Sequence, residues 1–539
     1  MKLKCLLLAG LGAGFLSSSW AGESLVTQII IQPVDFHLVH ARAINEGEMV
    51  RFSQAAKLDL RHARAMSGQS QVLRLPKAVT QAEAEAVVAR LLESGLVRHA
   101  QIDRRVSPRM VPNDPRFSEQ WHYQSLITGK AYGENNYGLN LPGAWDITTG
   151  SPSVVVAILD TGLLPHQDID SNILDNAGRV VAGYDFISDP DIANDGDGRD
   201  ANPTDPGDWV EKENKLCGDG TFYPSTWHGT HVAGTAGALT NNAIGVSGVA
   251  WQVSLLPVRT LGTCGGLTSD IIDAMRWSVG ISVPGVPDNA HPARILNMSL
   301  GSAGGCLLAE QAAVDDVIAK GGILAVAAGN SGQNLNSAPE SPASCRGVLT
   351  IAATDRQGQL AQYSNYGSAV ALSAPGGDIP FDTAILSTGD QGVRAALLDN
   401  TYVFSQGSSM ATPHVSGALA LMLALNPNLT RDEALSLLQQ SATAFPVYSK
   451  NPDFNCTTAI CGAGIVNAQA VLALMQGTPV PPPEPVPPQP EPIPPPAPEP
   501  TPPPSSSSGG GGSMEWLGLL GMFGLAALRY RRRGLSRAA

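Results

Sequence analysis

Between residues 112 and 475 one pattern recurs: a short apolar run rich in β-branched residues, ending on polar residues or glycine, then a helical stretch. Residues 154–159, 295–300 and 323–328 are three such runs. A strand that is apolar on both faces has to be covered on both faces. Strands of that kind alternating with helices predict an α/β fold of three layers, with a mostly parallel central sheet. In such sheets functional groups collect at the carboxyl ends of the strands, which tells us where to look for chemistry.

The remaining segments divide by composition. Residues 1–21 have the form of an export signal: Lys2 and Lys4, an apolar Gly-rich run over 5–16, and Ser19 and Ala21 around a cut after Ala21. That run is short for a membrane span. Residues 22–110 predict a small α+β unit, with strand-like runs at 26–31 and 71–75 and a helix over 81–94. Residues 111–476 form the main domain. Residues 477–513 are a spacer, first Pro-rich with interspersed Glu and then Ser/Gly-rich. Residues 514–539 hold a short apolar stretch followed by Arg529, Arg531, Arg532 and Arg533.

Charge narrows the partners. The net charge of −13 lacks the basic footprint of a nucleic-acid binder. It suits cation binding, or simply solubility. Cys5 falls within the signal. The other six cysteines, an even number in an exported chain, favour disulfides over free thiols. None of their spacings makes a zinc knuckle.

Three segments carry candidate chemistry. The run at 154–159 delivers Asp160 to its end, followed by Thr161-Gly162. Asp-Thr-Gly also occurs in aspartic proteases, which need two carboxylates sharing a proton; a second copy is missing, so that use would require dimerisation. The second segment is His228-Gly229-Thr230-His231-Val232-Ala233-Gly234-Thr235. Two nearby histidines could hold zinc, but the glutamate of His-Glu-x-x-His is missing. The third is Gly407-Ser408-Ser409-Met410-Ala411-Thr412-Pro413-His414. Here Ser409 sits at a helix start, with Pro413 expected in the first turn and residues 418–425 continuing the helix into the core. A serine there is ordinarily a cap. The Gly-x-Ser-x-Gly elbow of α/β-hydrolases is absent.

Taken in chain order, these segments resemble the subtilisin-like serine proteases, over roughly residues 112–476. The order Asp, His, Ser is that of the family. The resemblance implies a subtilisin-like fold and a secreted endopeptidase with Asp160, His228 and Ser409 as its triad. Ser408 stands where the family usually has Thr, and the match to Gly-x-Ser-Met-Ala puts the nucleophile at Ser409. Asn330, within Ala327-Ala328-Gly329-Asn330-Ser331-Gly332, is implied as the oxyanion donor; otherwise it is a turn residue. Ser299, Leu300 and Gly301 resemble the edge strand that pairs with substrate backbone. Ala327, Ala328 and Gly329 would line the pocket for the residue before the cut. By local register Glu340 lies near that pocket's floor, where a carboxylate would favour Lys or Arg, or it is a solvated loop residue. Order along the chain and the resemblance together give the pairs Cys217–Cys264, Cys306–Cys345 and Cys456–Cys461.

The resemblance also implies structural calcium. Thr240, Asn242, Ile244 and Val246 match the family's strong calcium loop, with Asp168 as a further ligand. A second acidic run, Asp189, Asp191, Asp195, Asp197, Asp200, Asp205 and Asp208, is either another calcium site or a solvated loop. Residues 22–110 would be a propeptide that assists folding and transiently inhibits the enzyme, cut before a mature start at Pro112-Asn113-Asp114; an attached interaction domain is the other use. The tail resembles a Gly-Gly sorting signal held briefly in the inner membrane, or a permanent anchor. The reading that competes with an enzyme is a surface binding protein on an inactive protease fold; loss of a triad residue would mark it, and none is lost.

Overall fold

The computed structural model describes residues 25–34, 44–103, 110–130, 133–170, 178–379, 384–448 and 452–477. The expected export signal and C-terminal apolar stretch lie outside the described residues.

The N-terminal unit runs β1 (Val26–Pro33), α1 (Glu46–Ala56), β2 (Arg61–Ala65), β3 (Gln71–Val79), α2 (Gln81–Glu93) and β4 (Val97–Ile102). Its four strands pair antiparallel in the order β2-β3-β1-β4, a split β-α-β arrangement. Ile29, Ile31, Leu73, Phe52, Val87 and Leu91 fill its core. Both helices begin with a capping box, Asn45 with Glu48 and Thr80 with Glu83, which satisfies backbone donors that a helix start leaves unpaired. The α+β expectation holds, with one helix and two strands more than the sequence pattern showed.

The main domain begins with α3 (Leu141–Trp145), β5 (Val155–Asp160), β6 (Tyr184–Asp185), α4 (Pro190–Ala193) and α5 (His228–Gly237). Next come β7 (Ser254–Arg259), α6 (Thr268–Ser278), β8 (Ile295–Met298), β9 (Ser302–Ala303), α7 (Leu308–Ala319), β10 (Ile323–Ala327) and β11 (Glu340–Ser341). The domain closes with β12 (Leu349–Thr354), β13 (Val370–Pro375), β14 (Ile385–Gly389), β15 (Thr401–Ser405), α8 (Ser408–Leu425), α9 (Arg431–Ser441) and α10 (Ala468–Met475). Seven strands form one sheet in the order β13-β12-β10-β8-β5-β7-β6, and every pairing within it is parallel.

Alternate residues of each strand feed different cores, because the side-chain period of a strand is two. Val156, Ile158, Leu255, Ile295 and Ile323 face the layer containing α5 and α8. Ala157, Leu159, Leu256, Leu296 and Leu324 face the layer containing α6 and α7. This explains the unbroken apolar runs. Strand order reverses between β5 and β8, so the crevice opens at their carboxyl ends.

α8 is apolar all round and long enough to cross a membrane, but its buried place between sheet and helices makes it a core helix. It starts at Ser408, so Pro413 is the sixth helical residue and not in the first turn as expected. Proline has no N–H to offer the carbonyl four residues back. That carbonyl belongs to Ser409, and Ser299 Oγ donates to it instead at 2.8 Å. The disulfides are Cys217–Cys264, Cys306–Cys345 and Cys456–Cys461, as expected.

Candidate active site

Asp160 is the last residue of β5, and its side chain is fully buried. His228 opens α5, and its Nδ1–H donates to Asp160 Oδ1 at 2.7 Å. The Thr161 N–H donates to the same oxygen at 2.8 Å. Asp160 Oδ2 has no hydrogen-bond partner among the described residues, so much of the carboxylate's charge is left to act on the ring. Burial works against a charged imidazole, but the charge and hydrogen bond of Asp160, with Asp208 and Asp205 farther off, raise the His228 pKa above its usual value. The side chain remains 23% exposed, so the base can meet a substrate.

The Asp–His pair is held from behind. Thr161 Oγ1 accepts from the Gly229 N–H at 3.0 Å and donates to Asp205 at 2.6 Å, tying the end of β5 to the start of α5. A Cβ on Gly229 would fall 2.1 Å from the Gly162 carbonyl, which is why this helix start needs glycine. His231 is engaged elsewhere: its Nε2–H donates to the Ile385 carbonyl at 3.1 Å, and burial pushes its pKa down to about 4. The two histidines therefore serve separate partners rather than a shared zinc.

Ser409 is the second residue of α8. Its Oγ donates to the Ser299 carbonyl at 3.2 Å, and the expected bond to His228 is not formed. Catalytic hydrogen bonds are often slack before substrate arrives. Asn330 is exposed and follows β10. Its Oδ1 accepts from the Ser408 N–H at 2.8 Å and from Ser408 Oγ at 2.9 Å. A backbone N–H can only donate, so the amide oxygen must face Ser408 and the NH2 is turned away from it. A Cβ on Gly407 would lie 3.4 Å from Asn330 Nδ2 and 3.5 Å from the Ser409 nitrogen. The Asn330 amide and the Ser409 nitrogen thus border one space beside Gly407, where an oxyanion could be received. The sequence indicated Asn330 but not the role of Ser408 in fixing it.

Ser299, Leu300 and Gly301 leave the carboxyl end of β8, and Ala327, Ala328 and Gly329 leave that of β10. These strands are neighbours, with Met298 opposite Val326. The two segments therefore run out side by side into the crevice.

At the expected calcium loop, Asp168 is buried and accepts from Asn242 Nδ2 at 2.8 Å and the Val246 N–H at 2.8 Å. The carbonyls of Thr240, Ile244 and Val246 accept no hydrogen bond among the described residues. Asp114, which the sequence pattern did not flag as a ligand, reaches the same loop through the N–H groups of Asn241 and Asn242 and the hydroxyl of Ser247. Burial, with Asp114 adding repulsion, pushes Asp168 up to about 6. A buried Asp168 against a loop with three unbonded carbonyls, itself held by the buried Asp114, fits a hard cation. In the second acidic run, Asp189 caps α4, Asp195 pairs with the buried Arg259, and Asp208 accepts from Thr226.

The subtilase family of peptidase S8 matches residues 151–464. The chain is 41% identical over 417 residues to an extracellular protease of Xanthomonas campestris pv. campestris, covering 77% of this chain and 66% of that protein. It is 39% identical over 436 residues to an extracellular basic protease of Dichelobacter nodosus, covering 79% of this chain and 66% of that protein. A solved protease of Pseudoalteromonas arctica superposes with a TM-score of 0.60 at 44% identity, covering 68% of this chain and 99% of that one. The chain belongs to the subtilase family.

Proposed function

We propose that this chain is a secreted serine endopeptidase that cuts internal peptide bonds of proteins through Asp160, His228 and Ser409. The observation that carries this reading is the hydrogen bond between the buried Asp160 at the end of β5 and His228, with Ser409 bonded to Ser299 just beyond the neighbouring strand β8. His228 takes the proton of Ser409 Oγ as that oxygen attacks the substrate carbonyl, and returns it to the leaving amine. Asp160 fixes the ring's tautomer and stabilises the imidazolium. Asn330 Nδ2 and the Ser409 N–H bind the oxyanion. Ser299, Leu300 and Gly301 receive substrate backbone, and Ala327, Ala328 and Gly329 line the pocket beyond it. Water then releases the acyl group from Ser409. Casein hydrolysis by the purified protein, lost in Ser409→Ala, tests this; equal rates in the two proteins would reject it.

Structural calcium fits the loop, with Asp168, the amide oxygen of Asn242 and the carbonyls of Thr240, Ile244 and Val246 as ligands and Asp114 supporting the loop. Asn242 would turn its amide over to do this. Bound calcium would hold the loop against unfolding, so excess chelator should lower the melting temperature by several degrees; an unchanged temperature contradicts the site.

Residues 22–110 are proposed as a propeptide, residues 1–21 as the export signal, and residues 514–539 as a sorting tail held transiently in the inner membrane beyond the 477–513 spacer. The names of the extracellular relatives support secretion. N-terminal sequencing and intact mass of the released form test all three, and a product that retains residues 22–110 would reject the propeptide.

A further inference from the structure

Glu340 is the first residue of β11, which pairs antiparallel with β9 directly after Gly301. Its carboxylate is held by its neighbours rather than left to wander. Oε1 accepts from Asn365 Nδ2 at 2.7 Å and from Ser331 Oγ at 3.3 Å, and Asn365 is fully buried and also donates to the Ala328 carbonyl. The other oxygen, Oε2, makes no hydrogen bond among the described residues, and no Lys, Arg or His there pairs with this carboxylate. Oε2 lies where the two pocket-forming segments leave room. It is 2.1 Å from where a Cβ on Gly329 would sit and 3.5 Å from where one on Gly301 would sit. Glycine at 329 is what lets the carboxylate in, and Gly329, at φ +101°, is also in a conformation that favours glycine.

The support under Glu340 is stiff. Ser341 donates to the buried carboxylate of Glu310 at 2.5 Å. The Cys306–Cys345 disulfide joins the segments just beyond β9 and β11. A half-buried carboxylate with one oxygen fixed and the other unpaired is an acceptor awaiting a cation, because a charge leaving water needs a partner. We propose that Glu340 makes this enzyme select substrates with a cationic side chain, Lys or Arg, at the residue before the cut. The proposal rests on the endopeptidase reading above.

The test compares matched fluorogenic peptides that differ only at that residue, carrying Arg, Lys, Phe or Leu. Labelling by a serine-directed phosphonate is measured alongside. The native enzyme should cleave the basic peptides at least ~10-fold better than the apolar ones by kcat/KM. Glu340→Gln, which keeps the shape and the bond from Asn365, should collapse that ratio by about tenfold or more, and Glu340→Lys should invert it in favour of Phe and Leu. Should a variant not fold, the native panel decides alone. An enzyme that takes up the phosphonate yet prefers Phe or Leu, or a ratio unchanged in Glu340→Gln, overturns the proposal and leaves the endopeptidase reading standing. Failure both to label and to cleave any peptide would reject the endopeptidase reading, and this proposal with it.

Discussion

Asp160 and His228 meet at 2.7 Å with the carboxylate fully buried, whereas Ser409 Oγ faces a backbone carbonyl and has no bond to the imidazole. The first half of the site is built from charge: a buried carboxylate, a ring drawn to it, and Thr161 clamping strand to helix. The second half is built from backbone. Gly407 lets two donors approach one space, Pro413 frees the Ser409 carbonyl for Ser299, and Ser408 turns the amide of Asn330. The charged half is assembled before substrate binds. In the backbone half, donors border one space and the Ser409 hydroxyl is bonded to the Ser299 carbonyl. Damage to the first should therefore change proton affinity as well as rate, and damage to the second should change rate alone.

The largest effect belongs to the charged half. Asp160→Asn keeps the shape but offers the ring the wrong partner, and should lower kcat by about 10⁴-fold. A loss below ~10-fold would mean that the pair does not set the tautomer. Asn330→Ala removes one oxyanion donor and should cost about 10²–10³-fold in kcat with little change in KM, read by steady-state kinetics. Ser408→Ala deletes one of the two bonds that orient Asn330 and leaves the Ser408 N–H in place. Its expected loss is about tenfold, and it should vanish in an Asn330→Ala background; a full additional loss there would show that Ser408 acts independently. The smallest effect tests the charged half by pH. The base works as neutral imidazole, so activity falls as pH drops through a His228 pKa raised above 6.5. Asp208→Asn removes one of the charges that raises it, so the acid limb of kcat/KM should move to lower pH. A shift upward, or none, would contradict that assignment.

The fold, and the meeting of Asp160 with His228, were readable because they are written locally. An apolar run ending in Asp160 is a strand delivering a carboxylate, and Gly229 flags a tight backbone approach next to the histidine. The family resemblance then indicated what spacing could not, Asn330 as a candidate oxyanion donor and a candidate calcium loop. Partners brought together by sheet order were not readable. Asp114 meets a loop more than a hundred residues later, Ser408 meets Asn330 across 78 residues, and Asn365 meets Glu340 across 25. The displacement of Pro413 to the second turn was missed for a related reason. The carbonyl left without an N–H partner finds Ser299 Oγ from another strand end, and only the packed sheet places that hydroxyl.

The central claim is that Ser409, not the adjacent Ser408, is the nucleophile activated by the Asp160–His228 pair. Mass spectrometry of the protein after reaction with a fluorophosphonate tests it directly. The account predicts one adduct, on Ser409, still formed in Ser408→Ala and lost in Ser409→Ala. An adduct on Ser408, or labelling that persists in Ser409→Ala, would contradict it.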